Sequence, residues 1–103
     1  MFYSQRLKGY LVARKIIAIA DSSNPTIIDY MKFQLQSIKN TLPSVSTELV
    51  DETDSRLERY VHTDNRAKLP MLMAFKGDVF TSVKFGKRDT DQVIGWCKEL
   101  GIE

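Results

Sequence analysis

Cysteine, histidine and long apolar runs are scarce in this sequence. The 103-residue chain has one cysteine, Cys97, and one histidine, His62. A single cysteine cannot close a disulfide within the chain, and a single histidine without a cysteine at ligand spacing is not a transition-metal motif. The apolar run from Ile16 to Ala20 is far shorter than the roughly 20 residues that a membrane-spanning helix needs. We therefore expect no metal, no membrane span and an intracellular protein, either cytoplasmic or incorporated into an assembled particle.

A large excess of charge of one sign is also missing, since the formal net charge is +2. Such a small charge does not by itself indicate nucleic-acid binding. The charges are nevertheless uneven, because residues 1–15 are basic and residues 48–58 are mainly acidic. We interpret both segments as solvated faces, and the alternative is that the first segment docks on an acidic partner or a phosphate backbone. Its basic residues are Arg6, Lys8, Arg14 and Lys15.

Motifs for catalysis and cofactor binding are absent as well. The sequence has no Gly-rich phosphate loop, no nucleophile elbow and no catalytic triad spacing. The acids Asp51, Glu52 and Asp54 lack the alternation and the glycine of a calcium loop. We therefore predict no cofactor and no catalytic residue, so we do not expect an enzyme.

The apolar patterns of the first half predict a strand, a helix and a second strand. Lys15 to Ala20 is β-branched and apolar without alternation, which is typical of a strand buried on both faces. Ser23 or Asn24 is a good helix cap, and Pro25 suits the first helical turn. The helix is predicted to run to about Asn40, and its core-facing stripe comprises Ile27, Met31, Leu35, Ile38 and Leu42.

The second half predicts two helices and a β-hairpin, and residues 1–14 are predicted to form an N-terminal arm or a short helix. Because strands joined through a helix are parallel and hairpin strands antiparallel, a four-stranded mixed sheet with helices on both faces follows. We expect this β-α-β-α-β-β-α order to make residues 1–103 a single α/β domain. The predicted elements are a strand from Val45 to Asp51, a helix from Thr53 to about His62, strands from Met71 to Phe75 and from Val79 to Phe85, and a helix from Thr90 to Leu100.

The order of elements resembles the thioredoxin family over about residues 12–102. Pro70, directly before an apolar strand, stands where the family has its cis-proline. Ser23-Asn24-Pro25-Thr26 stands where thioredoxins carry Cys-Gly-Pro-Cys, and Ile17 stands where they keep a buried carboxylate. Since thiol–disulfide exchange needs a thiolate, the hydroxyls of Ser23 and Thr26 imply that dithiol chemistry has been lost.

The resemblance also implies a binding site. Thioredoxin-like proteins bind extended peptides between the loop after the first core strand, the residue before the cis-proline and the following glycine loop. In this sequence those positions are Ser23, Asn24, Leu69, Pro70 and Gly86, and the backbone of Leu69 would supply strand-like hydrogen bonds. The alternative is that the loop only caps the helix and binds no ligand.

Two aromatic residues of the first helix are a further candidate surface. Phe33 lies nearly opposite the core-facing stripe, and Tyr30 lies between the two faces. Phe33 could belong to a partner-binding surface, since aromatic residues are enriched at interface cores. It could equally be a lone exposed aromatic or contact the N-terminal segment through Phe2 or Tyr3. Cys97, on the stripe of the last helix, is predicted to be a core residue.

We therefore expect a redox-inactive thioredoxin-fold interaction or structural module, whose partner is another protein or a larger assembly such as a virus particle. Two alternatives stay open. The first is a glutathione- or peptide-binding protein that uses Ser23, since glutathione transferases resemble this fold in their first domain. The second is a nucleic-acid-associated protein that uses the basic N-terminal arm, although nucleic acid is not the partner we expect.

Overall fold

The computed structural model describes residues 14–61 and 69–101, and it confirms the predicted order of elements. Arg14, which the sequence analysis placed in the N-terminal arm, is instead the first residue of the first strand, where it is paired with Val45 and Lys76. The rest of the predicted arm, residues 1–13, and His62 lie outside the described residues. The elements are β1 (Arg14–Ala20), α1 (Pro25–Thr41), β2 (Val45–Asp51), α2 (Ser55–Val61), β3 (Met71–Lys76), β4 (Val79–Phe85) and α3 (Thr90–Glu99).

The strands form one mixed sheet in the order β2-β1-β3-β4. β1 is parallel to β2 and antiparallel to β3, and β3 and β4 form an antiparallel hairpin. The hairpin turn contains Gly77, whose φ of 61° lies in the left-handed region that glycine adopts easily. Because of these directions, the ends of β1, β2 and β4 and the start of β3 all lie at the same edge of the sheet.

The central strand β1 is buried on both faces, as the unbroken apolar run predicted. Every residue from Ile16 to Ala20 is at most 2% exposed. Successive side chains of a strand point to opposite faces, so Ile16 and Ala18 face one core while Ile17 and Ile19 face the other. Full burial of each isoleucine side chain stabilises the fold by about 1.5–3 kcal/mol.

The first core lies between the sheet and the helices α1 and α3. Four of the five predicted stripe residues of α1 are buried in it, and Ile27 is partly buried at its margin. Cys97 is fully buried, which confirms its predicted core position. Trp96 is also buried, and its indole Nε1 donates a hydrogen bond to Ser82 Oγ at 3.2 Å.

The second core lies on the opposite face, against α2. Leu57 of α2 packs there with Ile17 and with the buried side chains of β3. Phe75 and Phe80 meet edge to face with ring centroids 5.7 Å apart, a favourable geometry for an aromatic pair. Helices therefore cover both faces of the sheet, as predicted.

Candidate functional site

The loop between β1 and α1 is held by hydrogen bonds within itself. The backbone N–H and the hydroxyl of Ser23 both donate to Asp21 Oδ1, at 2.9 and 2.7 Å, and the Asn24 N–H donates to the Asp21 carbonyl at 3.0 Å. Asn24, not Ser23, is the N-cap of α1, because its side-chain oxygen accepts from the Ile27 N–H at 3.2 Å. Pro25 occupies the first helical position, where no N–H is needed.

This loop is also tied to the loop that follows β2. Ser22 donates from its backbone N–H to Glu52 Oε1 at 2.8 Å and from its hydroxyl to Oε2 at 2.7 Å. The backbone and hydroxyl hydrogen bonds from Ser22 hold the pKa of Glu52 below its ordinary value. The sequence analysis missed this pair. The sequence could have indicated the pair, because Ser22 and Glu52 follow two strands predicted to be parallel, and loops after neighbouring parallel strands lie at the same edge of a sheet.

The segment before β3 forms the second wall of the site. The Leu69–Pro70 peptide bond is cis, as the resemblance implied for Pro70. The Pro70 carbonyl accepts a hydrogen bond from the Gly86 N–H at 2.7 Å. Gly86 has a φ of +84°, and no atom would lie within 4 Å of a Cβ placed there, so backbone conformation rather than space favours glycine.

The sheet register brings these two walls together. Ile19 of β1 is paired with Met71 of β3. One step further along the same register, Pro70 is level with Ala20, directly before the β1–α1 loop. The structure therefore places Ser23, Asn24, Leu69, Pro70 and Gly86 on three loops at one edge of the sheet.

The segment after Gly86 is docked on α1. The Tyr30 hydroxyl and Gln34 Nε2 both donate to the Arg88 carbonyl, the latter at 2.7 Å. The Lys87 ammonium lies 4.5 Å from the centroid of the Tyr30 ring, within the range of a cation–π interaction. Tyr30, predicted as a partner-binding residue, is thus partly buried and its hydroxyl is used within the chain. The sequence analysis did not single out Gln34, which is fully buried.

Phe33 is 64% exposed, so its predicted position away from the core is confirmed. It lies eight residues beyond Pro25, which corresponds to about 12 Å along the helix axis from the loop end of α1. The predicted residues therefore occupy two neighbouring surfaces. The first, called the loop edge below, comprises Ser23, Asn24, Leu69, Pro70 and Gly86, and the second is the outer face of α1, which carries Phe33. Tyr30, one helical turn before Phe33, lies between them.

The chemistry of the loop edge differs from that of a dithiol site. Ser23 and Thr26 carry hydroxyls at the positions where the resemblance places thiols, and Ile17 is an apolar residue only 1% exposed. The cysteine of the chain, Cys97, lies in α3, and burial raises the pKa of its thiol to about 11. Such a thiol is protonated at neutral pH, so it is a poor nucleophile.

Of the four basic residues in segment 1–15, two belong to β1 and two lie outside the described residues. Lys15 belongs to β1, and its ammonium is 2.8 Å from Glu48 Oε1. Arg14 is partly buried in the same strand, and Arg6 and Lys8 are not among the described residues. Nucleic-acid binding through the arm stays an open alternative, as does glutathione binding through Ser23, whose hydroxyl donates to Asp21.

Within the described residues, the structure holds neither a cluster of metal ligands nor a membrane-spanning helix. No group of three or more histidine, cysteine, aspartate or glutamate side chains in residues 14–61 and 69–101 converges as a metal ion would require. In the same part of the chain, no helix combines the length and the apolar character needed to cross a membrane.

Comparison with known proteins places the fold. Neither models of known families nor curated protein sequences match this chain. Solved structures do match. Thioredoxin O2 from Arabidopsis thaliana is 19% identical with a TM-score of 0.62, over 86% of this chain and 76% of that one. The germline-specific thioredoxin Deadhead from Drosophila melanogaster is 12% identical with a TM-score of 0.67, over 95% and 90%.

A third similar structure is thioredoxin-2 of the malaria parasite, described as a component of its protein secretion machinery. It is 12% identical with a TM-score of 0.65, over 85% of this chain and 84% of that one. At such identities the similarity establishes the fold alone. The chain is therefore an α/β protein with a thioredoxin-like fold.

Proposed function

We propose that this chain is a redox-inactive thioredoxin-fold module that binds an extended segment of a partner protein along the loop edge. The main support for the proposal comes from the hydrogen-bonding groups of the Leu69 backbone. Within the described residues, neither its N–H nor its C=O has a hydrogen-bond partner. Leu69 directly precedes the cis bond to Pro70, beyond the last paired residues of β1 and β3. A partner strand could pair with both groups.

The neighbouring loops support this mode of binding because they are already satisfied internally. Ser22 and Ser23 use their hydroxyls and N–H groups on Glu52 and Asp21. The Gly86 N–H is used on the Pro70 carbonyl. A rigid frame loses little conformational entropy when a ligand binds, so preorganisation of this kind favours affinity. The frame needs no thiol to hold a peptide by backbone hydrogen bonds.

We further propose that the partner belongs to a larger assembly, such as a multiprotein complex or a virus particle, of which this chain is a small subunit. The exposed Phe33 beside the loop edge supports this, since a large exposed aromatic side chain can anchor an interface. The similar parasite thioredoxin is described as a component of a secretion machinery. That example is a thioredoxin-fold protein within a larger assembly.

A pull-down from native extract with mass spectrometry tests the binding proposal. We expect near-stoichiometric enrichment of one or two proteins by the wild type, and loss of them with Ser23→Arg, which puts a long charged side chain at the loop edge, or with Phe33→Asp. The matched control is Val79→Asp, because Val79 is 66% exposed but lies at the hairpin end of the sheet. No enrichment, or equal loss in all three variants, would refute the proposal.

The redox part of the proposal has its own test, the reduction of insulin disulfides by dithiothreitol. We expect no acceleration by the wild-type chain, because Ser23 and Thr26 cannot exchange with disulfide sulfur. Wild type and Cys97→Ala should therefore give the same rate as the reaction without protein. Acceleration that disappears in Cys97→Ala would show that the buried thiol is catalytically competent.

A further inference from the structure

A cavity of about 170 Å³ opens between β4 and α3, on the side of the sheet that carries the first core. It is lined by Lys84, Arg88, Gln92 and Val93. Lys84 faces this side because it is paired with Leu72, a residue of that core. Since a water molecule occupies about 30 Å³ of liquid volume, the cavity has room for a group several times larger. A phosphoryl group fits within that volume.

Among the residues that the structure describes, the two cations of this cavity have no counter-ion. Lys84 is partly buried, and within the described residues its ammonium makes neither a hydrogen bond nor an ion pair. At the other end of the sheet the situation is different, because Lys15 and Arg56 both pair with Glu48 at 2.8 and 3.0 Å. Arg88 is an exposed residue, so what the two cations share is a positive charge without a paired acid, which favours the binding of an anion.

Arg88 is held in place by groups other than an acid. Its Nε donates to the Phe85 carbonyl at 2.9 Å, and its own carbonyl accepts from Tyr30 and Gln34. Within the described residues, its terminal guanidinium nitrogens have no acceptor. A fixed guanidinium of this kind can bind two oxygens of one anion at little further entropic cost. Lys87, the remaining cation of this segment, lies over the Tyr30 ring instead.

The third polar lining residue adds another donor. Gln92 Oε1 accepts from the Asp89 N–H at 3.4 Å, which leaves its Nε2 amide group for a ligand. The acids at the start of α3 do not line the cavity: Asp89 accepts from the Asp91 N–H, and Asp91 is exposed. The polar lining side chains therefore offer hydrogen-bond donors and positive charge, and Val93 closes the apolar side.

We propose that this cavity binds an oxyanion of the phosphate class, either free phosphate or the phosphoryl group of a phosphorylated side chain. Lys84 supplies a point charge, Arg88 a two-pronged donor and Gln92 an amide donor to the same group. The site is separate from the backbone groups of Leu69, so it can exist whether or not the proposed peptide binding is correct. Because Gly86 lies between Lys84 and Arg88 in sequence, a bound phosphoryl group would lie beside the loop edge.

Titration of the ¹⁵N-labelled chain, followed by NMR at constant ionic strength and slightly alkaline pH, tests the proposal. The probes are sodium phosphate and N-acetyl-O-phosphoserine amide, with sodium chloride as the reference for unspecific charge effects. We expect saturable shifts of the Lys84, Arg88 and Gln92 resonances in the millimolar range. Tighter binding of the phosphoserine compound identifies a carried phosphoryl group as the source, and equal or weaker binding identifies the free ion.

Two variants and one control separate a built site from general positive charge. Lys84→Gln and Arg88→Gln should each weaken binding at least about tenfold, since each removes a charge-assisted hydrogen bond. Lys98→Gln makes the same change in charge in the last turn of α3 and should leave the affinity unchanged. The spectra themselves report whether each variant is folded. Absence of saturable shifts, or an equal loss of affinity in Lys98→Gln, would overturn the proposal.

Discussion

The buried amide of Gln34 gives the sharpest prediction about stability. Its Nε2 donates to the Arg88 carbonyl at 2.7 Å, but its Oε1 is buried and has no hydrogen-bond partner within residues 14–61 and 69–101. Methionine has nearly the same length and shape as glutamine but carries no amide. We therefore expect Gln34→Met to leave the fold intact and to make it more stable.

The expected magnitude follows from two opposing terms. Gln34→Met loses one hydrogen bond, which is a net loss of about 1 kcal/mol, and it removes an unsatisfied buried acceptor that costs about 1–3 kcal/mol. The free energy of unfolding should therefore rise by about 0–2 kcal/mol. Tyr30→Phe removes only a hydrogen bond and should cost about 0.5–1.5 kcal/mol. In the double variant the Arg88 carbonyl loses both donors, so the combined cost should exceed the sum of the single effects by about 1 kcal/mol.

Urea denaturation of the wild type, the two single variants and the double variant measures these changes in the free energy of unfolding. With a slope of about 2 kcal/mol per molar urea, a change of 1 kcal/mol moves the midpoint by about 0.5 M. Gln36→Met is the control, because Gln36 is exposed on the same helix and the change should stay within about 0.5 kcal/mol. A loss of more than about 2 kcal/mol in Gln34→Met would refute the reasoning and indicate that a buried water molecule satisfies Oε1.

Three further predictions concern charge, the thiol and packing. Hydrogen bonds from Arg56 and Lys15 hold the pKa of Glu48 below its ordinary value of 4.5. The stabilisation of the fold by these two interactions is therefore present above that pH and is lost as the pH falls through the folded-state pKa of Glu48. Glu48→Gln should therefore cost about 0.5–1 kcal/mol at pH 7 and almost nothing near pH 2, measured by urea denaturation, and an equal cost at both would contradict the ion pairs. Cys97 should react with a thiol reagent far more slowly in the native state than in urea, because burial raises its pKa to about 11; equal rates would mean that the thiol is accessible. Ile38→Ala should lower the free energy of unfolding by about 2–5 kcal/mol, whereas a loss below 1 kcal/mol would place Ile38 outside the core.

Local sequence patterns were sufficient to predict the elements of this fold. The unbroken apolar run ending at Ala20 indicated a strand buried on both faces, and the four-residue and three-residue spacing on α1 indicated its core-facing stripe. Proline marked two boundaries correctly, since Pro25 is the first residue of α1 and Pro70 directly precedes β3. The error at Arg14 arose because strand pairing with both neighbours extends β1 by one residue beyond its apolar run.

The candidate site depended on the family resemblance, since its residues are far apart in sequence. Nothing in the local pattern around Ser23 indicates that Pro70 and Gly86 lie beside it. Their proximity follows from the sheet order, in which β3 lies between β1 and β4. Which of Ser23 and Asn24 caps α1 also depended on geometry, because both side chains are chemically suitable.

Pairwise contacts between polar side chains were the part that sequence reasoning missed. Glu48 and Lys15 were interpreted as members of two separate solvated faces, yet they form an ion pair across β1 and β2. Gln34 was overlooked although it is three residues after Met31 and four before Ile38, which places it on the buried face. Such contacts depend on strand register and on helix docking, and local sequence patterns indicate neither of them.

The position of β1 in the sheet has a consequence for synthesis on the ribosome. β1 pairs on one side with β2, which follows soon after it, but on the other side with β3, which begins only at Met71. A nascent chain that ends before Met71 therefore presents an unpaired strand edge along Ile16 to Ala20, the most apolar segment of β1. Unpaired apolar edges are templates for intermolecular pairing. Pausing or truncation of translation between α2 and β3 should therefore yield aggregation-prone fragments, whereas a chain released after β3 has its central strand fully enclosed.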